Sequence, residues 1–325
     1  MILYLIILII LFGLELTYFK IADKLNIIDK PNLRSSHSQI TLRGGGIIFI
    51  LGAWLWAIIF GGFQLYPYFL AGLTAISAIS FADDVHSIPN RYRIVIQFAS
   101  MLLMMFQWGI ITASMWWAII AALIVTTGII NAYNFMDGIN GITGAYSLSV
   151  ILPLIIANGL IHFIEHSLLI VTVISLIVFL IFNFRKRAKC FAGDVGAVGM
   201  AFIVTFSLGL LITATKDFSY IVLLAVYGVD SVLTIIHRLM LKENIFKAHR
   251  KHAYQIMANE LKIPHLAVSS IYAAVQLIIS LGFIYFQVNH WIYLGTTLLI
   301  LIGAYIVFMN KYYHLHAEYL AQSTK

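Results

Sequence analysis

Long uncharged runs constrain this chain more than any other feature of its sequence. Stretches of about twenty apolar residues recur from one end to the other, and that is the length a helix needs to cross a bilayer. In hydrocarbon each backbone amide must find its partner internally, so such runs fold as helices. Spans are expected at 1–19, 45–62, 66–82, 94–110, 114–131, 143–160, 167–183, 195–214, 218–236, 266–287 and 290–310. The expected fold class is all-α: a polytopic integral membrane protein with about eleven transmembrane helices and polar cytoplasmic loops. Residues 1–325 are read as a single integral membrane domain. Only 10% of residues are charged, against about 25% in soluble domains, so no sizeable soluble domain fits.

Charge placement sets the expected orientation. The net charge is +7, but the bases sit in short loops, which points to membrane sidedness and not to nucleic acid. Segments 20–43, 83–93, 132–142, 184–194, 237–265 and 311–325 hold nineteen of the twenty Lys and Arg; Lys216 alone lies opposite. The positive-inside rule makes that side the cytoplasm, with the N-terminus outside and the C-terminus cytoplasmic. The first run has no basic leader and no small-residue cleavage site, and is read as a retained span. Cys190 is the only cysteine, so no internal disulfide forms and redox chemistry has no support.

Polar motifs interrupt the runs on the basic side. Asn131, Asn134 and Asp137 recur every third position at an expected helix end, followed by Gly138, Asn140 and Gly141. Carboxamides, a carboxylate and flexible backbone at a membrane boundary suit a hydrated divalent cation and a phosphate; a polar cap and turn is the alternative. Asp83-Asp84 ends another uncharged run. Ionised carboxylates there need water, a partner or a metal, and adjacent helical positions diverge by about 100°, so the pair divides its roles. Arg91 and Arg93 follow, suited to an anion or to topological anchoring.

Asp194 stands between Gly193 and Val195-Gly196 at a helix start, where it caps the helix or ligates Mg²⁺. His249, Arg250, His252 and Tyr254 lie in the longest loop; read as helix, the two histidines share a face. Zinc lacks a third ligand at recognisable spacing. A basic segment facing an anionic substrate and an interfacial helix are the readings left open. Asp230 is an intramembrane acid and a functional candidate, with a pairing to Arg238 as the structural alternative. Glu15 has no neighbour in sequence that gives it a role.

Taken in order, these motifs resemble the polyprenyl-phosphate N-acetylhexosamine-1-phosphate transferases. The matching pieces are Arg34-Ser35-Ser36-His37 through Arg43-Gly44-Gly45-Gly46, Phe81-Ala82-Asp83-Asp84, Asn131 to Gly141, Phe191-Ala192-Gly193-Asp194-Val195-Gly196, and Asp230 through His252. The resemblance implies a bacterial inner-membrane enzyme. It would move a sugar-1-phosphate from a UDP-N-acetylhexosamine to undecaprenyl phosphate, release UMP, and use Mg²⁺, or Mn²⁺ in its place.

By that similarity Asp83 or Asp84 deprotonates or positions the lipid phosphate, and Asp194 and Asn134 hold the metal. Asn131, Asp137, Gly138 and Asn140 line the nucleotide site, while Arg93, His249, Arg250 and His252 face phosphates, His252 as a catalytic residue. Membrane lipids are partners, nucleic acid is not, and a homodimer is left open.

Three positions depart from the family pattern. The second carboxylate of D-G-I-D-G is Asn140, G-D-x-G-S ends in Ala197, and H-x-H-H reads His252-Ala253-Tyr254-Gln255. The last change resembles the branch that starts O-antigen and capsule chains. A secondary transporter is the competing reading, since intramembrane acids and glycine-broken spans also mark transport pathways. Against it, the motifs gather at one face and no inverted repeat is visible.

Overall fold

The computed structural model describes residues 2–31, 36, 39–111, 116–245 and 249–323, with side chains through 319. Arg34, Ser35 and His37 of the first motif, and Lys247 and Ala248, lie outside the described residues. The chain is a helical bundle in the order α1 (Ile2–Lys24), β1 (Ile28–Asp29), β2 (Thr41–Leu42), α2 (Ile47–Phe60), α3 (Gly62–Leu65), α4 (Pro67–Val85), α5 (Asn90–Gln107), α6 (Trp116–Met136), α7 (Ile142–Ile161) and α8 (His166–Asn183). It continues with α9 (Gly193–Thr215), a 3₁₀ segment (Phe218–Leu224), α10 (Ala225–Met240), α11 (Ala253–Asn259), α12 (His265–Tyr285) and α13 (His290–Ser323).

Among the described residues, nine helical segments are long and apolar enough to cross a membrane. The remaining two expected spans are helical but differ in kind. α2 is apolar and only 14 residues long; α5 carries Asn90, Arg91, Arg93 and Gln97, which lower its hydropathy. α13 runs well past the expected end of its span at 310 and carries the polar tail as helix.

Helix α9 is the axis of the bundle. It is buried almost throughout and packs against α2, α4, α6 and α7. Small residues make that possible, because without a hydrophobic drive between helices in lipid, close backbone approach supplies the attraction. At the α2 entrance Gly46 meets Gly196 backbone to backbone: a Cβ on Gly196 would lie 2.6 Å from the Gly46 Cα.

The hydrogen bonds sort the loops into two ends. At one end, Glu165 N–H donates to the Tyr66 hydroxyl, Asn158 closes on Ile164, and His290 pairs with Asp217 beside Lys216. At the other lie the polar motifs. There β2 pairs antiparallel with β1 and bridges Cys190 on its other side. Asn183 ties two loops together, accepting from Gly141 N–H at 2.7 Å and donating to the Cys190 carbonyl at 2.8 Å.

Candidate functional site

The site begins with two carboxylates that share a helix end and point apart. Asp83 and Asp84 close α4, and their side chains take different partners, as the helical offset between neighbours requires. The Asp84 side chain is fully buried. It accepts from the Asp194 and Val195 amides at 2.9 Å each, capping the start of α9 from a different helix. A carboxylate there meets unsatisfied N–H groups and the positive end of the helix dipole.

Asp83 accepts from the Ile88 amide at 2.7 Å and from Arg93 Nη1 at 2.6 Å. Two guanidinium groups then join the helices. Arg43 binds Asp84 at 2.7 Å and Asp194 at 3.3 Å; Arg93 binds Asp83 and reaches Asp194 at 3.0 Å. Burial alone would lower the pKa of Arg43, but Asp84, Asp194 and Asp29 outweigh it and raise it. Three carboxylates and two arginines from the β2–α2 entrance, α4, α5 and α9 thus form one ionic lattice.

Helix α6 ends at Met136, so Asp137 starts the turn into α7. Thr143 donates to it at 2.6 Å. Burial pushes Asp137 up to about 7, against the Thr143 hydrogen bond, and the negative charges of Asp194 and Asp84 add to the rise. Asn134 is half-buried on the last helical turn, and Asn131 is exposed one turn earlier. Asn131 and Phe135 line one end of an apolar groove of about 760 Å³ between α6, α10 and α13.

Other expected site residues are tied into the frame. Asn140 donates to the Arg185 and Lys186 carbonyls at 2.8 and 3.3 Å, and its own carbonyl accepts from Ser269. Gly138 has no room for a side chain, because the Tyr254 hydroxyl fills that space on its way to the Phe135 carbonyl.

The basic loop differs from the helix considered for it. Residues 249–252 are not helical, and α11 begins only at Ala253 with His252 as its N-cap. The His249 and His252 rings still stack, 5.0 Å apart. Asp230 organises this corner. It accepts from the Ala253 and Tyr254 amides at 3.1 and 3.4 Å and from Tyr272 at 2.6 Å, and sits 3.2 Å from His252 Nδ1. The Arg238 alternative is not what forms: that guanidinium binds Glu243 and the Asn244 and Ile245 carbonyls.

His252 Nε2 and His249 Nδ1 are buried without a hydrogen-bond partner among the described residues. Burial holds His249 down to about 3, helped by the charges of His252, Arg238 and Lys251. Arg250 turns toward Glu260 at 3.0 Å and over the Tyr319 ring, away from the carboxylate lattice. Glu15 lies buried beneath the Gly44–Gly46 turn, 3.7 Å from Cys190 Sγ.

Sequence reasoning placed Arg43 inside a motif without giving it a role. Its ion-pair partners Asp84 and Asp194 are more than forty residues away, and no local spacing announces them. The joint work of Asp230 and His252 was hidden for the same reason.

The donor set suits a hard divalent cation. Mg²⁺ is held by one or two carboxylates together with water and substrate phosphate, without a full protein cage. No group of three His, Cys, Asp or Glu is arranged around one point among the described residues. Asp194, whose charge adds to the rise in the Asp137 pKa, meets the smaller requirement together with Asp137, and a cation would relieve that repulsion.

A family model described as Glycosyl transferase family 4 matches residues 66–214. The chain is 26% identical to a probable undecaprenyl-phosphate N-acetylglucosaminyl 1-phosphate transferase of Bacillus subtilis (strain 168), over 72% of this chain and 70% of the relative. It is 23% identical to the undecaprenyl-phosphate alpha-N-acetylglucosaminyl 1-phosphate transferase of Escherichia coli O157:H7, over 89% of this chain and 84% of the relative. A phospho-N-acetylmuramoyl-pentapeptide-transferase of Thermotoga petrophila is 25% identical, over 70% and 76% respectively. The matched segment runs from α4 through α9 and contains Asp83, Asp84, Asp137 and Asp194. With these matches and its ordered motifs, this multi-pass membrane protein is similar, over residues 66–214, to glycosyl transferase family 4 and resembles the polyprenyl-phosphate sugar-1-phosphate transferases.

Proposed function

We propose that this protein transfers an N-acetylhexosamine-1-phosphate from a UDP-sugar to undecaprenyl phosphate at the cytoplasmic face of the bacterial inner membrane, releasing UMP and starting an envelope polysaccharide of the O-antigen or capsule kind. The observation that carries this reading is the juxtaposition of a charged lattice with an apolar groove. Asp83, Asp84 and Asp194 with Arg43 and Arg93 stand at the end of the bundle toward which an apolar groove runs along α6 as far as Asn131 and Phe135. A lipid phosphate and a soluble nucleotide sugar can both reach such a place. The activities for which these relatives are named support the same substrate classes.

The reaction joins an acceptor phosphate oxygen to the sugar-bearing phosphorus and breaks its bond to UMP. Such a transfer needs in-line placement and neutralised charge more than covalent help. Asp194 with Asn134 and Asp137 would hold a Mg²⁺ ion, which when bound would supply Lewis-acid polarisation of phosphoryl oxygens. Asp84 fixes the α9 N-terminus and Arg43. Asp83, on the other side of α4 and less enclosed, positions the acceptor phosphate or takes its remaining proton. Arg93 and Arg43 exchange part of their carboxylate contacts for phosphate oxygens. His252, oriented through Nδ1 by Asp230, presents Nε2 to a diphosphate oxygen.

The test is the purified protein in lipid nanodiscs with undecaprenyl phosphate, Mg²⁺ and a panel of UDP-sugars. UMP release and a lipid-linked sugar phosphate from one N-acetylated donor are expected. Neither product from any donor would overturn the reading.

A further inference from the structure

A second polar cleft lies apart from the carboxylate lattice. Its volume is about 520 Å³, and it opens between the end of α1, the two-stranded sheet and the segment after α8. Phe19, Leu42 and Ile40 give it apolar walls, while Lys20, Lys189 and Asp23 stand in it with exposed side chains. The chain around it is strongly basic: residues 20–30 and 185–189 hold seven Lys and Arg against two Asp. None of the bases lining it is used by the mechanism above.

Depth and chemistry narrow the occupant. α1 is a candidate span, and Lys20 and Asp23 lie in its last turn and a half, where the apolar run gives way to charge. That is headgroup level. Ile40 is 63% exposed and Leu25 62% exposed, a cost in water that contact with acyl chains removes. Two ammonium groups above an apolar wall match a phosphodiester joined to hydrocarbon. Asp23 would repel a bare dianion but accepts hydrogen bonds from a polyol. We infer that the cleft binds the headgroup of an anionic phospholipid of the phosphatidylglycerol type.

Lys20 and Lys189 pair with the phosphate, Asp23 accepts from the glycerol hydroxyls, and Phe19, Ile40 and Leu42 take the first methylenes. The site abuts the strand that leads into Arg43, since Thr41 and Leu42 line it. A bound headgroup therefore pins the sheet to the end of α1.

The experiment reads binding directly and does not depend on transferase activity. Full-length protein is reconstituted in phosphatidylcholine nanodiscs containing a minor fraction of phosphatidylglycerol, then released and examined for retained lipid by native mass spectrometry. Wild type is expected to keep phosphatidylglycerol over phosphatidylcholine. Lys20→Gln with Lys189→Gln should lose about tenfold of that retention, each basic residue adding a modest increment at an anionic lipid surface. The double Lys→Arg variant should retain it, and Lys216→Gln, at the other end, should match wild type.

Asp23→Asn should reduce the preference for phosphatidylglycerol over phosphatidic acid. Equal retention of both lipids by wild type, or undiminished retention by the double Gln variant, would overturn the assignment. Displacement of the lipid by millimolar inorganic phosphate would overturn it as well, in favour of a soluble anion. A cooperative melt for each variant, with unchanged helical circular dichroism, separates lost binding from lost folding.

Discussion

At the residue scale, the adjacent aspartates behave as different groups, and mutation should separate them. Asp84 is enclosed and bonded to two helix-terminal amides and to Arg43. Asp84→Ala leaves those donors unpaired and should cost roughly 3 kcal/mol, the low end for breaking a buried pair because Arg43 stays partly exposed. Thermal melting checks this. Asp194→Asn keeps shape but removes the charge a hard cation needs, and turnover should fall on the order of 10²–10³-fold while the melt changes little. Normal turnover at limiting Mg²⁺ would leave Asp194 a purely structural residue.

His252→Gln can still donate one hydrogen bond, so a loss below about a thousandfold with an unchanged acidic limb in the pH–rate profile is expected for a donor. A larger loss with that limb gone would make His252 the base. His249 supplies a pH signature of another kind. Folding holds it near 3 against about 6.5 unfolded. Stability from its neutral form is therefore complete above pH 6.5 and declines as pH falls through that window. Asp137, raised to about 7, works oppositely, gaining stability as pH falls from 7. The difference between His249→Phe and wild type isolates the first effect: the variant's melting temperature should gain on wild type between pH 7 and 5.

At the element scale, the site depends on helix ends meeting, and α9 sets where they meet. Gly196→Val would push a branched side chain into the Gly46 backbone, where neither side can yield. Overpacking against fixed backbone costs at least about 1–3 kcal/mol. The variant should lose activity and melt early, because the strand-to-α2 entrance carrying Arg43 moves with it. α11 shows the same dependence. Its first amides and its histidine cap are held by Asp230 from α10 and, through Tyr272, by α12. That explains a non-helical 249–252 segment where a continuous helix would have pointed the two histidines elsewhere.

At the scale of the whole molecule, the two ends of the bundle differ in kind, and that difference can be checked in cells. The charged motifs, Asn183 and the sheet occupy one end; Glu165, Lys216, Asp217 and His290 occupy the other. A reporter inserted near Glu165 should register outside the cytoplasm, and one fused after Lys325 inside it. Finding both on one side would break the orientation and leave the nucleotide sugar without access to the lattice.

The sequence by itself determined the helices, their alternating direction and the end at which the chemistry collects. Span length, uncharged runs and loop basicity are local properties, and bilayer thickness and backbone hydrogen bonding leave them one solution. It also marked Asp83, Asp84, Asp137 and Asp194, because an acid beside an uncharged run is costly enough to need a reason. Which acid does what was not local. That Asp84 caps α9, that Arg43 and Arg93 lie between carboxylates of different helices, and that Asp230 serves His252 all depend on contacts across 20 to 150 residues. Asn140 carried the same kind of signal as Asp137 and lies close to it in sequence, yet it clasps the basic loop through its side chain. Only the packing of the helices against one another sorted such residues into frame and site, because an ion pair between helices is set by where the helices cross and not by spacing along either one.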